Sequence, residues 1–419
     1  MPALTPDSLL ALATPGVLPG PAGLPDRPIS IWEITRWILP MAPEHLRRVL
    51  AAEPDLPQGE GAVDGGTRWF SPADLAALRR HFARPGAKAR HLPARPAGAR
   101  APLVVLAQPQ GGMGRSFAAL HLATAAALAG WRVLLIDADP AGRLHDGLGV
   151  AAAEGPGVAG VIGRDAARHL RRQNLARLDR GEAPVAMEAP LAAVADLALT
   201  DLLRPSRWPG LDLLPATPAL FQADLQIAGW RMALRGWQPW AALARALDDD
   251  GLRQGYDLIL CDPPAGLGPL ALAMLLSADV LLSPLPLRGG AGGRWPVGMA
   301  ALARAAAAVQ AEAEGLARAL GQPLPPLPWQ RLAVLPTRDG AGASPLPEGL
   351  STSLRAGGEA RLLPAALPEL TTRPPGQFHD LDYREIGKLA YSPQRDGLVA
   401  AWRGLADLVT GLWAEAAPA

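Results

Sequence analysis

A glycine-rich turn near residue 110, set between an apolar strand-like run and an apolar helix-like run, constrains this chain's fold more than any other feature. The order is PLVVLAQ, then PQGGMGRSFAAL, then the Ala/Leu stretch FAALHLATAAALAG. Gly111, Gly112 and Gly114 thus separate a run suited to a buried strand from one suited to a crossover helix. Such a turn aims backbone N–H groups at a phosphate, and the N-terminus of the following helix adds its dipole. Ser116 stands where the hydroxyl of a phosphate-binding loop ligates Mg²⁺. Taken alone, the turn reads equally well as a plain tight strand-to-helix connection.

Two further segments favour the phosphate reading. WRVLLIDADPAG ends an apolar run in Asp137 and Asp139, and YDLILCDPPAGLG ends one in Asp262. Carboxylates at the C-terminal ends of parallel strands lie in the crevice where open α/β sheets bind ligands. One such Asp reads as a helix cap; three of them, each after an apolar strand, are poorly explained that way. LDLLPA, VLLSPLPL and RLAVLPT complete a set of six apolar runs, with helical stretches between them. The pattern predicts an α/β fold with a doubly wound, mostly parallel sheet over 102–419.

The 419 residues leave room for a smaller second unit. Residues 1–26 are Pro/Gly-rich and read as a flexible tail, and MPALTPDSLLALATPGVLPG lacks the basic start of a signal peptide. Over 27–84 the pattern predicts a small helical, winged-helix-like domain. Ser30 caps a helix bearing Ile31, Ile34, Trp37 and Ile38, APEHLRRVL is a second helix, and GGTRWF is a hairpin or wing. SPADLAALRRHF is a third helix, with Ser71 as its cap and Pro72 at its first position. Residues 85–101, with Lys88, Arg90, Arg95 and Arg100 and no acid, read as a basic linker. The segment 300–328 reads as a helix followed by a loop, 338–360 as an irregular insertion, and the stretch from His379 as an amphipathic helix. Trp208, Trp230, Trp237 and Trp240 read as core or interface anchors.

Composition excludes several classes. With 49% hydrophobic and 19% charged residues the chain is not wholly disordered. It holds no apolar run of about 18 residues that would predict a transmembrane helix. The single cysteine, Cys261, rules out an internal disulfide or a Cys-based zinc cluster, and a cytoplasmic location is the expectation. The histidines show no metal-ligand spacing. A net charge of +1 supplies no global field, so nucleic-acid contacts must be local. The only lysines are Lys88 and Lys388, so arginine carries nearly all the positive charge.

The blocks QGGMGRSF, LLIDADPAG and LILCDPPAGLG resemble the ParA/MinD family of P-loop ATPases, whose deviant Walker A motif reads KGGxGK[ST][ST] and is followed by a DxDP motif and a Walker B strand ending in Asp. RPSRWPGLDLLPA resembles the stretch that ends in the next family strand, and RLAVLPTRDG resembles the strand preceding the base-binding loop. Residues 27–84 look like the MerR-like helix-turn-helix that precedes the ATPase domain in plasmid-type ParA and RepA partition proteins. The resemblance implies ATP and Mg²⁺ as cofactors. It implies a homodimer formed with nucleotide, non-specific DNA binding, and a ParB-like or other adaptor partner that stimulates slow hydrolysis. A nucleoid-associated location follows from the same likeness.

Carried over by motif position, Gln110, Gly111, Gly112, Met113, Gly114, Arg115, Ser116 and Phe117 would form the nucleotide loop. Ser116, Asp137 and Asp262 would hold Mg²⁺ and its waters, while Asp139 would orient the attacking water and Arg115 would act as the catalytic cation. Arg47 and Arg48 on the second helix, Arg68 on the wing, and Arg384 and Lys388 near the C-terminus are candidate DNA-phosphate contacts, with Arg395 and Arg403 beside the last two. The chain departs from the motif at three positions. Gln110 replaces the signature lysine, Arg115 the P-loop lysine, and Phe117 a small hydroxyl residue. Gln110 can hydrogen-bond a phosphate but cannot neutralise it, and the planar fork of Arg115 is bulkier than an ammonium. Three readings follow: a partition ATPase acting on plasmid or chromosomal DNA, a diverged relative positioning another cargo such as a cellulose-synthesis, chemoreceptor or division complex, or a non-hydrolysing pseudo-ATPase.

Overall fold

The computed structural model describes residues 27–61, 67–84, 92–288, 291–321, 327–339, 346, 348–349, 351–352, 360–370 and 381–416. The expected N-terminal tail and most of the expected 338–360 insertion lie outside the described residues. In chain order the helices used below are α1 (Ile31–Glu33, continued by a π turn over Ile34–Ile38), α2 (Pro43–Ala52), α3 (Pro72–Phe82), α4 (Arg115–Leu128), α5 (Leu144–Leu148) and α6 (Gly157–Asp179). They continue with α7 (Leu220–Ala233), α8 (Ala242–Asp249), α9 (Pro269–Leu275), α10 (Ala291–Leu320) and α11 (Lys388–Ala416). The strands are β1 (Ile29–Ser30), β2 (Trp69–Phe70), β3 (Leu103–Leu106), β4 (Val133–Asp137), β5 (Arg204–Pro205), β6 (Leu211–Leu214), β7 (Leu258–Asp262), β8 (Val280–Pro286), β9 (Arg331–Asp339), β10 (Ala360–Leu362) and β11 (Leu367–Pro368).

Nine of these strands form one sheet, ordered β10-β9-β8-β3-β7-β4-β6-β5, with β11 also on β9. Every pairing is parallel except β5 on β6. The six apolar runs of the sequence are the six central strands. Their central positions are mostly apolar because both faces are covered. Val104, Val133, Leu135, Leu258 and Leu260 enter a core with α4 and α11, while Leu103, Val105, Leu134, Ile136, Ile259 and Cys261 enter the opposite core with α6, α7, α8 and α9. Trp208, Trp230 and Trp237 are core anchors, as expected, and Trp240 is half-buried beneath the Arg231 guanidinium.

The order places β3, which feeds the glycine turn, between β7 and β8, with β4 on the far side of β7. Asp137 and Asp262 are cross-strand neighbours in this register. The turn, both carboxylates and the N-terminus of α4 therefore meet at one end of the sheet.

Residues 27–84 form the predicted helices. Ser30 accepts from the Glu33 amide and Ser71 from the Asp74 amide, each completed by the return bond of a capping box, and Pro72 opens α3. The wing is only partly local. Glu60 and Trp69 exchange both backbone bonds, closing a loop whose tip (62–66) lies outside the described residues, while β2 itself pairs with β1 some 40 residues earlier. These elements share one hydrophobic core with α4 and α11. Buried Arg27 donates to the Leu381 carbonyl (2.7 Å) and to Glu33 Oε1 (2.7 Å), and the Tyr391 hydroxyl donates to the same oxygen (2.7 Å). The Trp37 indole donates to Asp396 Oδ1 (2.7 Å). Of the basic 85–101 segment, residues 92–101 lie along the α/β domain, where Arg95 donates to the Gln254 carbonyl (2.6 Å) and approaches Asp257 to 3.6 Å.

Arg79 ties the N-terminal helices to the helix that carries the site. Its guanidinium leaves α3 and donates to the carbonyls of Leu128, Ala129 (3.2 Å) and Ile38 (3.0 Å). The first two are orphan acceptors at the C-terminus of α4, where a cation is also favoured by the helix dipole. Burial pushes the Arg79 pKa down to about 10. Arg79→Ala is expected to lower the unfolding free energy by about 2–4 kcal/mol, because it strands buried carbonyls. Chemical denaturation reads this, and a change below about 0.5 kcal/mol, the range of an ordinary surface substitution, would contradict it.

Candidate functional site

The glycine turn opens on a cleft of about 700 Å³ lined by residues 111–117 together with Asp139, Ala141, Arg143, Ala265, Thr337, Arg338, Pro368, Glu369 and Leu370. Gly112 and Gly114 have φ of +74° and +84°, a region that disfavours side chains, and a Cβ placed on Gly111, Gly112 or Gly114 would meet no heavy atom within 4 Å. The loop is therefore an open cradle rather than a turn packed against its own protein. Gly114 is the N-cap of α4 and has no side chain to satisfy the first helical amides, which leaves them for an anion.

Met113, between the glycines, is 2% exposed. It is buried with Leu285, Trp295 and Val334, and the Trp295 indole is fixed by Ser283 Oγ (2.8 Å). This apolar pin holds the loop against β8 and β9. Phe117 is half-buried and rests on the His121 ring, with centroids 4.4 Å apart. Gln110 is half-buried, its amide N–H donates to Gln108 Oε1 (3.3 Å), and its own Oε1 is buried without a partner.

The floor of the cleft is ionic. Arg115, only 7% exposed, donates to the Gln108 carbonyl. Its guanidinium lies 3.8 Å from Asp139 Oδ2 and 3.8 Å from Asp262 Oδ1. The sequence-predicted Gln110–Phe117 loop, Asp137, Asp139 and Asp262 are thus brought together as expected. The two strand-end carboxylates are used differently, however. Asp137 Oδ1 accepts from the Asp139 amide (3.2 Å) and its Oδ2 from the Leu144 amide (3.2 Å), so it holds the loop leading into α5. Asp262 is fully buried and neither of its oxygens has a hydrogen-bond partner. Burial raises its pKa to about 6, against the smaller lowering effects of the Ser116 hydroxyl, close enough to act electrostatically though not in hydrogen-bonding geometry, and of the Arg115 charge. Burial and the neighbouring Asp262 also hold Asp137 well above the usual carboxylate range.

An unsatisfied buried carboxylate beside a hydroxyl and an open anion cradle fits a hydrated Mg²⁺ carried by a phosphate tail. Magnesium sites of this kind need only one or two protein carboxylates. Among the described residues no cluster of three or more His, Cys, Asp or Glu side chains forms a dedicated metal cage. Ser116 and Asp262 would be the groups on the side of such a metal, and Asp137 holds the loop beside them.

Two cleft residues have no signal in the sequence. Arg338, at the end of β9, donates from Nη2 to the Gly112 carbonyl (3.0 Å). Arg143 precedes α5 and also lines the cleft. The DNA-contact candidates are scattered. Arg47 and Arg48 are exposed on α2, Arg47 with Glu44 at 3.4 Å, and Arg68 is half-buried beside the Gln58 carbonyl (3.5 Å). Arg384 forks onto Asp382 and lies over the Trp69 ring (5.3 Å), and Lys388 lies over Trp32 (5.1 Å) and Tyr383 (5.6 Å). Arg395 is buried and Arg403 exposed.

The raised pKa of Asp262 has a defined consequence for stability. Between about pH 4 and pH 6 the folded chain binds a proton there that the unfolded chain has lost, so stability falls as pH rises through that window. Above it the full cost is present, about 3 kcal/mol for a shift of this size. Asp262→Asn is therefore expected to be more stable than the wild type at pH 7.5 without nucleotide, with the gap closing near pH 4. Equal unfolding midpoints at both pH values would contradict this.

Comparison with known proteins bears on the domain that carries the cleft. Residues 101–295 match a family model described as an AAA domain. The chromosome-partitioning ATPase Soj of Thermus thermophilus is 33% identical over 182 residues, 43% of this chain and 53% of that protein. The chromosome partitioning protein ParA of Caulobacter vibrioides is 30% identical over 183 residues, 44% and 55% of the two chains. The chain spans about half the length of the curated relatives it matches. A solved structure described as a partition protein superimposes with a TM-score of 0.57 at 15% identity, over 97% of this chain and 95% of that one, a likeness of fold. With its mostly parallel sheet, glycine cradle and strand-end carboxylates, the α/β domain of this chain is similar in fold and sequence to the ParA/MinD family of P-loop ATPases.

Proposed function

We propose that the protein binds Mg·ATP in the cleft and acts as a ParA-type partition or positioning protein. In this reading it dimerises with nucleotide, associates with DNA in the cytoplasm, and works with a ParB-like partner in segregating plasmid or chromosomal DNA. The observation that carries the reading is the pairing of the open cradle of Gly111, Gly112 and Gly114 with the unsatisfied carboxylate of Asp262. The amides at the start of α4 bind the phosphate tail, Ser116 and Asp262 sit on the metal side, and Asp139 is held at the cleft wall for the attacking water. Bound Mg²⁺ would neutralise charge on the phosphates. The protein's share of such chemistry is positioning and electrostatics.

The second reading, a nucleotide-binding protein that does not hydrolyse and positions a different cargo, is favoured by one observation. Arg115 is buried and already within ion-pairing distance of both Asp139 and Asp262, so phosphate must draw it out of that floor. Calorimetry with Mg·ATP, followed by a phosphate-release assay, separates the cases. Binding with slow turnover that Asp139→Ala abolishes supports the ATPase. Binding with no turnover supports the second reading. No heat up to millimolar nucleotide would sink both.

The DNA part of the proposal rests on the N-terminal arginines, because Arg384 is neutralised by Asp382 and Lys388 is seated over aromatic rings. Affinity for non-specific duplex is expected to fall steeply with salt, and Arg47→Ala with Arg48→Ala is expected to reduce the magnitude of the log–log salt slope by about 2. Fluorescence anisotropy over a salt series measures it. A slope unchanged in the double variant would remove α2 from the interface.

A further inference from the structure

At the end of α4 away from the glycine loop, the N-terminal helices and the α/β domain leave a trough between them. It consists of two cavities of about 230 and 250 Å³ that share Ile38, Arg79, Leu92, Leu128 and Trp131 as lining. Leu92, common to both, is 46% exposed. The floor is apolar and the charged lining is all of one sign. Arg79, Arg80 and Arg132 line the first cavity and Arg79, Arg395 and Arg403 the second, and among the described residues neither cavity is lined by an Asp or Glu. Three of these arginines are engaged within the protein or buried. Arg79 holds the carbonyls at the end of α4, Arg132 lies 3.0 Å from Asp257, and Arg395 is 3% exposed. Arg80 on α3 and Arg403 on α11 are exposed, and among the described residues neither forms an ion pair.

We propose that this trough docks an acidic, amphipathic segment of a partner protein, its apolar side chains over Ile38, Leu92, Leu128 and Trp131 and its carboxylates on Arg80 and Arg403. Each cavity is smaller than the roughly 300–1,000 Å³ of a small-molecule pocket, so it suits an anchoring side chain rather than a whole ligand. An apolar centre with charge at its rim is the arrangement of a protein interface. The rim sets the sign. An acidic segment complements both free arginines, and a basic one meets only like charge. Nucleic-acid phosphates would pair with Arg80 and Arg403 but leave the apolar floor uncovered, whereas an acidic amphipathic segment uses both. The trough lies about 20 Å along α4 from the glycine loop and shares no lining residue with the nucleotide cleft, so the inference does not depend on what that cleft binds.

The test is fluorescence anisotropy of the full chain with a labelled synthetic peptide of about 18 residues, with Leu and Trp at helical spacing and Glu elsewhere. A second peptide carries Lys in place of each Glu, and a third has the composition of the first in scrambled order. The wild type is expected to bind the first peptide and to bind both controls at least about tenfold more weakly. Arg80→Glu with Arg403→Glu is expected to weaken the first peptide by about tenfold or more, through loss of two charge-assisted contacts and the repulsion that replaces them. Both positions are exposed, so the double variant is expected to keep the wild-type unfolding midpoint. Leu92→Asp, which changes the floor and leaves both arginines in place, is expected to weaken the same peptide. Equal binding of the acidic and basic peptides, equal binding of the scrambled one, or an acidic peptide indifferent to the arginine reversal overturns the proposal. So does binding of no peptide, the result expected if a segment of this chain itself fills the trough. A duplex oligonucleotide that displaces the peptide and loses as much affinity in the double variant would make the trough a nucleic-acid surface, and would also overturn it.

Discussion

A carboxylate buried at the end of a central strand with no hydrogen bond to satisfy it is unfavourable in a folded protein, and the site is arranged around that fact. Asp262 sits at the end of β7, next to Asp137 on β4, in a sheet covered on both faces. The two acids cannot both be stabilised by the same few donors. Asp137 takes the backbone amides of the following loop and becomes structural. Asp262 is left with the nearby charge of Arg115 and the Ser116 hydroxyl. The cost is carried in the free protein, and under the proposed function a bound cation would relieve it.

The helix that leaves the cradle is held at both ends. Its N-terminus keeps its amides open because Gly114 offers no capping side chain, and its C-terminus is closed by Arg79 from α3. The N-terminal helices therefore do more than sit in front of the α/β domain. They share a core with α4 and α11, and a cluster of Trp32, Trp37, Trp69, Tyr383 and Tyr391 rings seals the junction. A DNA contact on α2 would thus act on a body continuous with the helix that bears the phosphate loop.

The central architecture is readable from the sequence because its physics is local. Six strands covered on both faces leave uninterrupted apolar runs, the phosphate turn needs glycine at positive φ, and Ser30 and Ser71 with acids three residues on announce helix starts. The edge strands β5, β10 and β11 are two or three residues long and leave no periodicity to detect. The break in the C-terminal helix falls at Gly387, with φ +81°, and only the glycine hints at it. Arg79, Arg143 and Arg338 look in sequence like any other arginine of an arginine-rich chain. Their roles come from acceptors and walls brought near by tertiary folding. For the same reason Arg384 and Lys388 read as free surface cations, although Trp69 and Trp32, more than 300 residues earlier, lie beneath them.

The central claim is that the glycine cradle and Asp262 form a Mg-nucleotide site in spite of Gln110 and Arg115. A crystal structure with Mg²⁺ and a non-hydrolysable ATP analogue tests it most directly. The account predicts phosphates on the amides at the start of α4, a metal on the side of Ser116 and Asp262, and the Arg115 guanidinium drawn away from Asp262 toward phosphate. A cleft without nucleotide, with Arg115 still beside Asp139 and Asp262, would contradict it.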